Sequence, residues 1–382
     1  DNYRGISLLN TAYKLYTKII NNRLRVITEA LLEEEQSGFR KGRSCSDNIF
    51  SIKRILEKRR EVNLETHIAF IDFERAFDCV KRNKLWEVMK ENGYPIHIIE
   101  TIKCLYKNTG TLKSEELKTN QGVRQGCSLS PTLFNIYIDD IIKKWKKEVN
   151  PGIPLNRNDY LNVLLYADDV AIIQNNEEDL QRSVYKLYQL GNAYNLRISK
   201  KKTKVMAHRG KFPVRSKIVV EDQILEQVSH FEYLGCNVSW DVDRDIEKKV
   251  NKFQSICGTI NRTLQNKTTK ETKMKFYKIM ATPVLMFGSE SWVVRERDKG
   301  KIQTAEMRFL RGVKGCTKRD HLRNEDIRGE LGIYNINEKI EEYRENWRSH
   351  LNRMGNGRMP ASVHNYQPRG RRDVGRPRKR WH

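Results

Sequence analysis

Hydrophobic residues recur with two different periods along this chain, and the change of period divides it. Near the start, Tyr13, Leu15, Tyr16, Ile19, Ile20 and Leu24 repeat at helical spacing, and a second helix runs from Asp47 towards Lys58. The run His67-Ile68-Ala69-Phe70-Ile71-Asp72-Phe73 is apolar and β-prone, and a helix follows through Trp86 to Lys90. Ser130-Pro131 has the chemistry of a helix start, ahead of Leu133, Phe134, Ile136, Tyr137, Ile141 and Trp145. Residues 160–174 hold a second β-prone run, with Asp168-Asp169 between Leu164-Leu165 and Val170-Ala171. Its natural reading is two short strands meeting at a tight turn. Leu180, Val184, Leu187 and Leu190 then line one face of an amphipathic helix. Short strand candidates follow at Lys204–Ala207, Ile218–Val220 and Phe231–Leu234, and beyond Asp241 the pattern is helical to about Arg353. The expected layout is mixed α and β, then all α, then a basic tail.

Charge sharpens this picture. The 382 residues carry 72 Lys and Arg against 48 Asp and Glu, a formal net charge of +24, which points to a polyanionic partner such as nucleic acid. The length suits two or three domains, and 16 Tyr, 12 Phe and 6 Trp spread along it argue against disorder throughout. No apolar run approaches the roughly 20 residues that span a bilayer; the best, around Met280–Phe287, is far too short. The 7 cysteines are scattered, odd in number and never spaced CxxC, which fits reduced thiols in the cytosol or nucleus. A zinc set can be drawn from Cys316 and His321 with His350 or His364, at spacings that fit no common site. The chain opens Asp1-Asn2-Tyr3, without a methionine or a secretory leader, and ends abruptly at Trp381-His382, as expected of a segment of a longer protein.

The sharpest chemical signal is three carboxylates in apolar surroundings. Asp72 lies within Phe70-Ile71-Asp72-Phe73, and Asp168-Asp169 lie between two apolar stretches. Charged carboxylates at the edge of a core are costly unless paired, hydrogen-bonded or bound to a cation, and adjacent like charges make it worse. An ordinary hairpin turn and a solvent-reaching strand end would explain either site alone. Taken together in a basic chain, three aspartates on two neighbouring strands suit hard divalent cations of the Mg²⁺ kind and phosphoryl transfer.

These residues also carry a family resemblance. Tyr166-Ala167-Asp168-Asp169 resembles the Y-x-D-D box of reverse transcriptases, and other blocks follow in matching order. Asn2-Tyr3-Arg4-Gly5-Ile6-Ser7-Leu8-Leu9 and Gln36 to Ser44 are similar to the two fingers blocks of LINE-type (non-LTR) retrotransposon polymerases. Phe70 through Asp78 resembles motif A, Gln121 through Pro131 motif B, Leu196 to Thr203 motif D and Phe231 to Gly235 motif E. The resemblance implies an α+β right-hand polymerase: fingers over 1–65, palm with an antiparallel sheet over 66–240, and helical thumb over 241–315. A helical segment at 316–353 and a basic flexible tail at 354–382 would complete it. It further implies an RNA-directed DNA polymerase using two Mg²⁺ ions, with Mn²⁺ as a possible substitute, an RNA template, a DNA primer or target DNA, and dNTPs. Asp72, Asp168 and Asp169 would hold the metals. Phe77 would be the steric gate against a ribose 2′-hydroxyl, Arg43 and Lys41 would grip the triphosphate, and Gln125 and Gly126 would lie at the sugar. Lys202 would stand near the leaving pyrophosphate, with Lys200, Lys201 and Lys204 as competitors. A ribonucleoprotein of nucleus and cytoplasm would result.

The helical half offers Lys248, Lys249, Lys252, Arg262, Lys267, Lys270, Lys273 and Lys275 as backbone contacts without base information. From Arg344 onward, eleven Lys or Arg stand against two acids. Arg369, Arg371, Arg372, Arg376, Arg378, Lys379 and Arg380 form an arginine-rich stretch expected to stay flexible until it meets phosphate. Gly375-Arg376-Pro377-Arg378 resembles the core of a minor-groove hook; a nuclear import signal or a non-specific phosphate grip fits the same residues. Two rivals to the polymerase reading are a repurposed relative that only binds nucleic acid and an RNA-copying RNA polymerase. Phe77, and Ala167 where the latter usually has glycine, argue against the second.

Overall fold

A computed structural model describes residues 7–107, 121–240, 244–264, 268–355, 357–372 and 378–381. The stretch Asn2 to Ile6, Lys267 and Arg376, all named above, lie outside the described residues. The chain forms two compact units. The first comprises residues 1–48, 63–228 and 365–370; the second comprises 49–62, 229–364 and 371–382. Most of the second predicted helix is thus counted with the helical unit, not with the first 65 residues as expected.

In the first unit, helix α1 (Thr11–Leu31) and the start of α2 (Cys45–Glu61) precede strand β1 (Glu65–Ile71). Helices α3 (Ala76–Cys79), α4 (Arg82–Glu91), α5 (Ile96–Tyr106) and α6 (Ser130–Lys146) follow. Two small strands, β2 (Ile153–Pro154) and β3 (Tyr160–Leu161), lead into β4 (Val163–Tyr166) and β5 (Asp169–Gln174), then α7 (Glu177–Ala193) and β6 (Lys204–Arg209). Strands β7 (Phe212–Pro213), β8 (Val219–Val220), β9 (Gln223–Ile224) and β10 (Glu226–Gln227) close the unit. The main sheet runs β10-β6-β1-β5-β4, antiparallel except where β10 joins β6. β1 lies inside it, paired on both sides, which explains why His67 through Ile71 are all buried. Alternation sends Ala69, Ile71 and Phe73 into the same apolar cluster as Val163, Leu165, Val170 and Ile172. Helices α6 and α7 contribute Phe134, Tyr137, Trp145, Leu180, Val184 and Leu187 to that cluster. The Trp145 indole, fully buried, donates to the Ser183 carbonyl at 2.8 Å.

The helix expected at the start is present, but its apolar residues do not all face inward. Leu15, Tyr16 and Ile19 of α1 are exposed, although they belong to its helical apolar repeat. The buried stripe of α1 is Thr17, Ile20, Asn21, Leu24 and Thr28. Its polar members all find partners: Thr17 Oγ1 lies 3.2 Å from Ser128 Oγ, Asn21 accepts from Thr132 at 2.7 Å and Thr28 from the Tyr94 hydroxyl at 3.2 Å. Satisfied hydroxyls and amides can be buried as readily as aliphatic groups, and an apolarity pattern does not register them.

The second unit holds residues 49–61 of α2, the hairpin of β11 (His230–Tyr233) and β12 (Cys236–Ser239), and helix α8 (Asp245–Leu264). It continues with α9 (Lys270–Phe276), a π-helical turn at Tyr277–Ala281, α10 (Thr282–Met286), α11 (Glu296–Lys314), α12 (Asn324–Leu331), α13 (Ile336–Arg353) and α14 (Met359–Asn365). Leu234 and Gly235, both at positive φ, make the tight turn of the hairpin. Buried Asp245 is the polar hub of this unit. It accepts from Lys53 at 3.2 Å, from the Trp292 indole at 2.7 Å and from the Asn237 backbone at 2.8 Å. Burial alone would raise its pKa, but the Lys53 and Lys249 cations and these donors bring it below the usual carboxylate value. Lys249, expected on the surface, is buried and donates to the Phe287 carbonyl at 2.5 Å. Deeper in the helices, Arg328 pairs with fully buried Glu306 at 2.6 Å. Among the described residues no helix is long and apolar enough to cross a membrane.

The expected flexible tail is also corrected. Helix α14 occupies part of it, and Trp381 is only 2% exposed, buried with Phe50, Trp347 and Leu351.

Candidate active site

The first unit's sheet converges on the three aspartates through its backbone register. β1 and β5 pair antiparallel and end with Ile71 opposite Val170, which leaves Asp72 and Asp169 next in sequence at the same end of the sheet. β4 and β5 close at the Tyr166–Asp169 pair, so Ala167 and Asp168 form the two-residue turn between them. Ala167 adopts φ +57°, a left-handed conformation that an L-residue holds at a cost of about 1–2 kcal/mol. The strand ends therefore present Asp72 and Asp168 half-buried and Asp169 exposed.

The turn is clasped from outside by residues 35–38. Leu165 donates to the Glu35 carbonyl at 3.0 Å and accepts from Ser37 N at 2.9 Å, extending the sheet by one bridge. Gln36 Oε1 accepts from both Ala167 N, at 3.1 Å, and Gly38 N, at 2.8 Å. Asn48 Nδ2 donates to the Leu165 carbonyl at 3.0 Å, and Asn48 Oδ1 accepts from Ser37 Oγ at 2.9 Å. Gly38 must be glycine for this approach, because a Cβ there would lie 2.3 Å from Ala167 N. The Cys45 thiol bonds the Tyr166 hydroxyl, which together with partial burial pushes that phenol up to about 12. Gln36 and Asn48 were not foreseen as supports of the turn. The Gln36-Ser37-Gly38 tripeptide was the available signal; Asn48 gave none.

Around Asp72, the backbone is held by the segment after α7. Ser199 N donates to the Asp72 carbonyl at 2.8 Å, and Asp72 N donates to Thr203 Oγ1 at 3.3 Å. Lys202 Nζ stands 3.5 Å from Asp72 Oδ2 while remaining largely exposed. Two of its competitors are engaged elsewhere: Lys200 pairs with Glu221 at 2.5 Å and Lys204 with Glu226 at 2.6 Å. Half-buried Phe77 stacks on Phe134, centroids 4.5 Å apart at 13°, with Phe39 edge-on at 6.3 Å. Gln125 Nε2 donates to Asp78 Oδ1 at 3.2 Å, and Val123 N donates to the Phe77 carbonyl at 2.8 Å, tying the two segments together. Gly126 sits at φ +98°, a conformation that favours glycine. Lys41 is exposed, whereas Arg43 is turned inward: its guanidinium, 8% exposed, bonds the Glu34 carbonyl at 2.6 Å and carboxylate at 2.5 Å. In this arrangement Arg43 braces the loop rather than facing solvent.

Of the tail residues, Arg369, Arg371, Arg372, Arg378 and Lys379 are exposed, and Arg380 is partly buried. Among the described residues, no three His, Cys, Asp or Glu side chains are grouped closely enough to hold a metal ion, neither the aspartates nor the drawn zinc set. The aspartates nonetheless fit a hard cation in kind: all donors are carboxylate oxygens, and Asp72 Oδ2 is buried with no hydrogen-bond partner.

The chain belongs to the reverse transcriptase (RNA-dependent DNA polymerase) family, which it matches over residues 1–238. It is similar to polymerases of mobile elements. It is 24% identical over 405 residues to the RNA-directed DNA polymerase from mobile element jockey of Drosophila funebris, covering 100% of this chain and 43% of that protein. It is 23% identical over 377 residues to a probable RNA-directed DNA polymerase from transposon BS of Drosophila melanogaster, covering 92% of this chain and 40% of that one. A third relative, the transposon TX1 149 kDa protein of Xenopus laevis, is 31% identical over 189 residues, 48% of this chain and 14% of its own length. The chain thus spans less than half the length of these relatives.

Proposed function

We propose that this chain extends a primer 3′-hydroxyl with dNTPs while copying an RNA template. The observation that carries the reading is the register of β1 and β5, which ends with Ile71 opposite Val170, so that Asp72 follows one strand and Asp168-Asp169 precede the other at the same end of the sheet. Asp72, Asp168 and Asp169 would hold Mg²⁺, which when bound supplies a lowered pKa for the attacking hydroxyl and charge stabilisation for the leaving pyrophosphate. The protein's own residues do the rest. The Gln36–Gly38 clasp keeps the turn in its left-handed conformation, so the two carboxylates do not have to be reorganised when substrate arrives. Lys202, exposed and beside Asp72, supplies a cation to the triphosphate from the open side. Phe77, immobilised on Phe134, presents a ring that a 2′-hydroxyl would strike, and Gln125 fixes the floor of the sugar site through Asp78. Lys41 reaches phosphate from the loop ahead of α2.

The test is primer extension on a poly(rA)–oligo(dT) hybrid with Mg²⁺, beside an Asp168→Ala control. Product that requires dTTP and disappears in the control is expected. Retained hybrid binding without any extension would favour a relative that binds nucleic acid and no longer polymerises. Replacing Phe77 by valine should admit rNTPs; unchanged sugar discrimination would remove Phe77 from the gate.

A further inference from the structure

The clasp around the Ala167-Asp168 turn carries one side chain that its own fold does not need. Phe39 follows Gly38 directly and adopts φ +59°, a left-handed conformation in which a bulky L-residue is rare and strained. Its neighbours impose that conformation. Buried Arg40 turns the chain back on itself, donating to the Glu33 and Gln36 carbonyls at 2.6 and 3.1 Å and to Glu29 Oε1 at 2.7 Å. The Gly38 carbonyl accepts from Asn135 Nδ2 at 2.7 Å, and the Phe39 carbonyl from Arg25 Nη2 at 3.3 Å. Glycine or asparagine would take this backbone at less cost. The bonds to the turn come from Gln36, Ser37 and Asn48, so none of them needs a ring at position 39. Burial does not explain the ring either: Phe39 is 46% exposed and meets Phe77 edge-on, at 6.3 Å and 84°.

We propose that Phe39 is a stacking platform for a nucleobase of the pair formed at this site. Its position carries the inference. Gly38 presses on the turn that bears Asp168, and the Phe39 ring adjoins Phe77, the residue read as lying at the nucleotide sugar. A base is joined directly to that sugar, so a ring one aromatic spacing beyond Phe77 stands within its reach. A phenyl face carries no hydrogen-bonding group and accepts each of the four bases alike. A templated polymerase needs that tolerance, because the polar edges of the bases must stay free to pair. The braced carbonyls hold the ring in place before substrate arrives, which lowers the ordering cost of stacking. The inference rests on the polymerase reading. The stacked base is either that of the incoming nucleotide or that of the template, and both present the same π-face.

Phe39→Asn in the full chain tests this, because it removes the ring while asparagine tolerates the backbone. Its unfolding midpoint should stay within about 2 °C of the parent's. In primer extension, KM for dNTP should rise about tenfold with kcat changed less than about threefold, and Phe39→Tyr should match the parent. Preference for dNTP over rNTP should hold, since Phe77 keeps its stack on Phe134. Phe39→Trp reports stacking without turnover. On a hybrid ended by a 2′,3′-dideoxy primer, with Mg²⁺, its added indole emission should be quenched relative to the parent's own tryptophans. Quenching by the hybrid alone identifies the template base; quenching only on adding the complementary dNTP identifies the incoming base. An unchanged KM in Phe39→Asn together with no quenching in Phe39→Trp would overturn the platform. So would a midpoint lowered by more than about 5 °C with kcat reduced and KM unchanged, which marks a structural brace. Collapse of the sugar preference would make Phe39 a buttress of Phe77 instead. Failure of the parent to extend counts against the polymerase reading alone, because the dideoxy-hybrid quench still decides the role of Phe39.

Discussion

The two units use charge in opposite ways. In the sheet unit, the informative charges are few, acidic, and set at one end of neighbouring strands. In the helical unit, cations are abundant, and several are consumed internally: Lys53 and Lys249 around Asp245, Arg328 on Glu306, Lys58 on the carbonyls of Val363 and His364. The difference teaches that a basic composition overstates the surface available to nucleic acid. A buried cation needs a partner as much as a buried acid does, and it then has no role at the surface.

The largest effect should come from the acidic end of this contrast. Asp168→Ala, or Asp72→Asn, should lower primer extension on the order of a thousandfold or more, since several kcal/mol of transition-state stabilisation go with the metal site. Hybrid affinity should change little, and a matching loss of binding would show that these residues support the fold instead. Next, Asp245→Ala should destabilise the chain by about 3–5 kcal/mol in urea unfolding, because it leaves buried Lys53 without its acid and removes the carboxylate that balances buried Lys249. A loss under about 1 kcal/mol would mean that water reaches the site and the hub is cosmetic.

Gly38→Ala probes the clasp that joins the two kinds of order within the sheet unit. Its added methyl collides with the turn backbone, so extension should fall about a hundredfold through misplacement of Asp168. Far-UV circular dichroism should remain that of the parent. The smallest effect concerns Lys58, whose pKa is pushed down to about 8, chiefly by burial and secondarily by Arg54. Between that value and its ordinary 10.5, the unfolded chain binds a proton that the folded chain has lost. Stability should therefore rise with pH across this window, and Lys58→Met should flatten that rise in unfolding curves taken at several pH values. An unchanged slope would place the titrating group elsewhere.

Much of the sheet unit was legible in advance for a local reason. β4, the Ala167-Asp168 turn and β5 lie within a dozen consecutive residues, so apolar alternation interrupted by two acids already describes the hairpin. Helix α6 was visible from Ser130-Pro131, and the strand at Lys204 from its short β-prone run. The buried face of α1 was not legible, because Thr17, Asn21 and Thr28 are buried through hydrogen bonds that no hydropathy pattern contains. Arg43 was expected at the triphosphate by resemblance; its ion pair with Glu34, an ordinary loop acid, had nothing in the sequence to mark it. The pairing of Lys200 and Lys204 was equally closed to sequence reasoning, because it depends on where Glu221 and Glu226 return in space.

The sequence by itself determined the order of elements, the acids at the strand ends and the surplus of positive charge. These follow from local alternation, turn chemistry and composition, which act over a few residues at a time. Only the tertiary structure decided which charges remain at the surface. Lys53 meets Asp245 across 192 positions, and the backbone of Trp381 meets Glu57 across 324. Contacts closed by such long loops obey no short-range pattern; burial and the need to satisfy each buried polar group select them once the chain has folded.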